Sequence, residues 1–72
     1  MNNLRKVVLE VKVGDTFKCI KQSDFFTVGI NYKVQTCYYK IGAESTDIEF
    51  RDDEYDLHLI TEFFLQTNFK KQ

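Results

Sequence analysis

The chain has 72 residues, 43% of them hydrophobic and 15% aromatic, which makes one domain with a core and excludes a disordered tail. No apolar run approaches the roughly 20 residues needed to span a bilayer, and the start lacks the apolar stretch of a secretory signal, so a cytoplasmic location is expected. The net charge of −1 hides a dipolar chain: Glu44, Asp47, Glu49, Asp52, Asp53, Glu54, Asp56 and Glu62 share their stretch with one cation, Arg51. Such asymmetry bears on partners rather than on fold.

In chain order, Val7, Leu9, Val11 and Val13 alternate with Val8, Glu10 and Lys12, which predicts an extra strand-like segment over residues 1–12. Gly14-Asp15 breaks it. A second strand is expected over residues 16–21, followed by a loop from Gln22 through Phe25 and Phe26 to Gly29. A long strand over residues 30–40 places Ile30, Tyr32, Val34, Thr36 and Tyr38 on one face and Asn31, Lys33, Gln35, Cys37 and Tyr39 on the other. That division, one face apolar and one largely wet, is that of a half-buried antiparallel strand. Residues 47–51 form the next strand, Asp52-Asp53-Glu54 a hairpin turn, and Tyr55, Leu57 and Leu59 the apolar positions of the return strand.

The end of the chain changes period. Thr61 suits an N-cap, Glu62 the positive first turn, and Ile60 and Leu65 a hydrophobic staple, so a helix is expected over residues 61–70 with Lys70 and Lys71 at its negative end. The fold expected is all-β with one short C-terminal α-helix: a single domain with its β core over 13–60, built as a small SH3-like barrel or a strongly bent five-stranded antiparallel sheet. Its inward set is Val11, Val13, Phe17, Cys19, Tyr32, Val34, Tyr38, Ile48, Phe50, Leu57, Leu59, Phe64 and Leu65.

The run Val13-Gly14-Asp15-Thr16-Phe17-Lys18-Cys19-Ile20-Lys21 resembles the opening of many small proteins encoded by tailed phages and prophages. Gly29-Ile30-Asn31-Tyr32-Lys33-Val34, and the close from Ile48 through Asp52-Asp53 to His58-Leu59-Ile60 and a Phe-rich helix, are similar too. The resemblance covers residues 13–69 and implies an SH3-like barrel, but it brings no functional residues. The chain departs from it in the N-terminal segment and in lacking the usual Gly in the second hairpin turn.

Chemistry is sparse. Cys19 and Cys37 fall on opposite strand faces by parity, so free thiols are expected. A zinc site needs four ligands, and the single His, His58, has no Cys pair beside it, so no metal and no cofactor is expected. His58 reads as a strand residue without an activating partner, and no Gly-rich phosphate loop exists, so no enzymatic activity is expected.

Binding remains. The first expectation is a phage-type accessory protein that occupies or inhibits a host protein, either a nucleic-acid enzyme or a defence factor, with a basic surface. Phe25 and Phe26 would anchor it, with Asp47, Glu49, Asp52, Asp53, Glu54 and Asp56 as its acidic face. The alternative is a nucleic-acid-binding module that uses Lys18, Lys21, Lys33, Tyr39 and Lys40, although a sequence pI of about 5.7 speaks against it. The edge strand over residues 7–13 could also pair across a two-fold axis into a homodimer.

Overall fold

In the computed structural model, residues 11–39 and 46–72 are described. Among them the elements run β1 (Thr16–Cys19), β2 (Asn31–Lys33), β3 (Thr36–Tyr39), β4 (Thr46–Arg51), β5 (Leu57–Ile60), α1 (Glu62–Asn68) and β6 (Phe69–Lys71). They form two antiparallel three-stranded sheets, ordered β2-β1-β6 and β3-β4-β5. The chain is thus mostly β with one short helix, and its ladders correspond to the bent sheet rather than to a closed barrel.

The long strand expected over 30–40 passes from one sheet to the other at Val34-Gln35. Val34 N–H donates to the Asp15 carbonyl at 2.8 Å, whereas Gln35 N–H donates to the Glu49 carbonyl, also at 2.8 Å. The handover shifts the side-chain alternation by one residue. Tyr32 and Val34 are buried before it; after it Cys37 packs on the core and Tyr38 is exposed. A one-residue slip moves every later side chain to the other face, which corrects the inward place expected for Tyr38.

The return strand is corrected in the same way. Ile48 pairs with Ile60 and Phe50 with His58, so the even positions of β5 share the inner face of β4. Leu57 and Leu59 therefore point outward and are exposed. Val13 is exposed as well. Asp15 N–H donates to the Lys12 carbonyl and Lys12 N–H to the Asp15 carboxylate, so residues 12–15 form a turn: the break expected at Gly14-Asp15 is present, and Lys12 and Val13 belong to it rather than to the strand expected before it. The segment over 1–10, and with it most of the expected edge strand, lies outside the described residues.

The remaining inward residues pack as expected. Val11, Phe17, Cys19, Tyr32, Val34, Ile48, Phe50 and Leu65 join Phe26, Ile60 and Phe69 in one cluster, with Phe64 and Cys37 packed against it. Its centre is aromatic: the Phe50 and Phe69 rings lie 4.9 Å apart, and Phe26 meets Tyr32 edge-on at 4.9 Å. Cys19 and Cys37 are free thiols.

Thr61 caps α1, its hydroxyl accepting the Phe64 N–H at 3.2 Å. Ile60 and Leu65 are both buried, as a staple requires. The helix stops at Asn68 because Phe69 turns extended, at φ −135 and ψ 159. Phe69 drops its ring into the core, and β6 closes one edge of β1 with a backbone ladder. Lys70 and Lys71 therefore belong to a strand, not to the last turn of a helix.

Candidate functional site

The β4-β5 hairpin builds the site. Asp52 N–H donates to the Asp56 carbonyl at 2.8 Å, enclosing Asp53, Glu54 and Tyr55, and Tyr55 takes φ 70 at the position that usually favours Gly. Asp52 holds this turn from within. Its Oδ1 accepts the backbone N–H groups of Glu54 at 2.8 Å and Asp56 at 2.9 Å. Its Oδ2 lies 2.6 Å from His58 Nε2. Burial alone would raise this carboxyl, but the Asp56 and Glu54 N–H groups and then His58 outweigh it and hold the pKa below the ordinary value.

Asp53 fastens the turn to the loop between β1 and β2. Its oxygens accept the Tyr32 hydroxyl at 2.6 Å and the Thr27 hydroxyl at 2.7 Å, and its N–H donates to the Phe25 carbonyl at 3.0 Å. Burial, and then the hydrogen bond to Asp53, push the Tyr32 hydroxyl above its ordinary pKa. Gln22 adds a second fastening, donating from Nε2 to the carbonyls of Ser23 and Phe26.

With the loop held at both ends, Phe26 enters the core and Phe25 stays at the surface. Phe26 is 2% exposed and Phe25 48%. The Phe25 ring lies tilted on the His58 imidazole with centroids 4.4 Å apart. Asp52, His58 and Phe25 thus form a chain from a buried carboxylate to an exposed ring. Beside it opens a groove of about 380 Å³ between Ser23, Asp24 and Phe25 on one wall and His58, Leu59 and Ile60 on the other, with Phe64 at one end. Its lining is chiefly apolar.

The expected acidic face is divided by this arrangement. Asp52 is buried and committed to the turn, and Asp53 engages both oxygens with Tyr32 and Thr27. Glu54 and Asp56 remain exposed near the hairpin tip, and Asp24 is exposed at the groove. Asp47 and Glu49 lie on the outer face of β4, half-buried, opposite the side that carries Phe50 and His58. Phe26 is a core residue and not a surface anchor. The expectation that His58 lacks a partner is corrected by Asp52. The signal was present in sequence: an Asp entering a tight hairpin and a His two residues past its exit are diagonal cross-strand neighbours.

The basic positions gather on the other sheet. Lys18 in β1 pairs with Lys70 in β6 and Asn31 in β2, and Thr16 pairs with Lys33. Phe17, Cys19, Tyr32 and Phe69 turn inward, so Lys18, Lys33 and Lys70 share the exposed face. Lys21 is exposed just beyond β1. Lys40 and the side chain of Tyr39 lie outside the described residues. Lys71 points elsewhere and meets Asp15 at 3.3 Å.

Among the described residues no group of three or more His, Cys, Asp and Glu is placed to hold a metal, and no helix is long and apolar enough to cross a membrane. Comparison with protein-family models, curated proteins and solved structures finds no match.

Proposed function

We propose that the chain is a non-enzymatic binding domain that docks a protein partner of apolar and basic character in the groove between residues 23–26 and β5. The observation that carries this reading is Phe25: its ring is half exposed, yet held against His58 at 4.4 Å. An aromatic side chain ordered before binding loses little freedom on docking and makes an effective anchor. Asp24, Glu54 and Asp56 supply exposed carboxylates around it, which steer a basic partner and fix its orientation. Asp52 and His58 act here as supports, since both Asp52 oxygens are already engaged. The resemblance to phage accessory proteins makes a host protein the partner class, with occupation or inhibition as the mode of action.

The test is selection from a randomised peptide library displayed against the immobilised protein. Wild type should enrich peptides that combine Arg or Lys with aliphatic or aromatic residues, and Phe25→Ser should not. Identical enrichment by both forms removes Phe25 and the groove from the mechanism.

A second reading is favoured by one specific observation, the shared exposure of Lys18, Lys33 and Lys70 on the β2-β1-β6 sheet. Like charges directly opposite, as in Lys18 and Lys70, destabilise a sheet unless an anion offsets them. Single-stranded nucleic acid supplies such an anion. About three phosphate contacts predict a log–log salt slope near −2. A mobility-shift titration at low salt checks it, and the absence of any shift at micromolar protein rejects it.

A further inference from the structure

We infer that the outer face of the β3-β4-β5 sheet is an interface between two copies of this chain. The face carries an apolar surface that the fold leaves open: Leu57 is 47%, Leu59 58% and Tyr38 43% exposed. Leu57 and Leu59 neighbour each other on β5 and Tyr38 lies across β4 on the same face; large apolar side chains exposed together on one sheet face mark an interaction surface. Between them, two residues apart on β4, stand Glu49 and Arg51.

The charge pattern selects the occupant. Glu49 pairs across the ladder with Leu59, and Arg51 with Leu57. A two-fold axis lying in the plane between two stacked copies, and crossing β4 at the level of Phe50, brings Glu49 of each copy over Arg51 of the other. The same axis brings Leu59 of each over Leu57 of the other. One symmetry operation thus satisfies the opposite charges and the aliphatic pair together, as an isologous contact requires. Sheets stack about 10 Å apart, a distance that these side chains fill. Asp47, at the outer end of β4, lies towards the periphery of this overlap. The Arg51 guanidinium is already held, with Nη1 donating to the Tyr55 carbonyl at 2.9 Å and the group lying 4.6 Å from the Tyr55 ring centroid. This contact is separate from the edge-strand pairing over residues 7–13, and it shares with the Phe25 groove the one residue Leu59.

Sedimentation velocity tests it, with wild type, Glu49→Arg, Arg51→Glu and an equimolar mixture of the two variants. A three-stranded face is small, about 1,000 Å² in total, so the series should run from about 1 to 500 µM. Wild type should dimerise within that range. Each single variant places like charges together and should raise the dissociation constant about a hundredfold. The mixture should recover wild-type association as a heterodimer. In that pair the two substituted side chains face each other with opposite charge, and the native Arg51 of one variant faces the native Glu49 of the other. Leu57→Lys, at an exposed position, should be monomeric with an unchanged circular dichroism spectrum and stands in if Arg51→Glu fails to fold. A wild type that stays monomeric throughout overturns the inference. So do variants that dimerise as well as wild type, and a mixture that stays monomeric when wild type does not.

Discussion

Two adjacent phenylalanines should behave as opposites. Phe26 is 2% exposed, and its ring lies 4.9 Å from Tyr32, 5.4 Å from Phe69, 5.9 Å from His58 and 6.1 Å from Phe50. Truncating such a ring to Ala costs about 3–5 kcal/mol, while a chain of this size holds roughly 4–11 kcal/mol in all. Phe26→Ala therefore sits near the point of unfolding, and Phe26→Leu is the measurable variant. It keeps most of the volume and loses the edge-on aromatic pairs, a cost of about 1–2 kcal/mol. With a urea slope near 1 kcal/mol per M, its midpoint should fall by about 1–2 M. Phe25→Ala gives up one half-exposed ring contact and should lose less than about 1 kcal/mol. Urea titrations followed by circular dichroism and tyrosine fluorescence measure both. Equal shifts for the two variants, or an unmoved midpoint for Phe26→Leu, would rule out the division of the loop into a core plug and a surface anchor.

The polar fastenings make further predictions. Tyr32→Phe leaves Asp53 and the Thr27 N–H without their hydroxyl partner and should cost about 1–2 kcal/mol in the same urea assay. The native pKa of Asp52 lies below the ordinary 3.8, so its contribution is complete above 3.8 and is lost as pH falls through the lower native value. Asp15, held low by the Lys12 N–H and by Lys71, adds to the same acid limb. Stability measured against pH should therefore fall in acid, and Asp52→Asn should shallow that fall; an unchanged limb argues against the assignment. The native pKa of Tyr32 lies above 10.0, so its contribution is complete below 10.0 and is lost as pH rises through the higher native value; Tyr38, raised by its hydrogen bond to Glu49, adds to the same alkaline limb, which Tyr32→Phe should shallow. Val34→Asp puts a carboxylate in the core and should abolish the cooperative urea transition.

Much of the fold is legible in the sequence because alternation and capping are local signals. The Thr61 cap, the Ile60 and Leu65 staple and the turn at Asp52-Asp53-Glu54 all follow from neighbours within a few residues. Parity beyond Val34 does not. Val34 and Gln35 extend the strand without a break in pattern, and only their partners, Asp15 and Glu49, reveal the change of sheet. Leu57 and Leu59 misled because Leu is more apolar than His, whereas the register to Phe50 places His58 inside. At the end of the chain, helix-compatible residues form β6 because Phe69 is drawn into the core and β1 offers an open edge. The site was legible in part: Phe25 and the carboxylates were visible as residues. Which carboxylates the fold consumes depends on Tyr32, Thr27 and His58, all distant in sequence or across a turn.

Docking in the Phe25 groove is best examined by an amide chemical-shift titration of the isotope-labelled protein with a basic, apolar peptide taken from the selection. Saturable shifts should concentrate at Asp24, Phe25, His58 and Ile60, weaken with added salt and vanish in Phe25→Ser with the rest of the spectrum retained. Shifts confined to Lys18, Lys33 and Lys70, or binding untouched by the loss of Phe25, would put the binding surface elsewhere and overturn the proposed function.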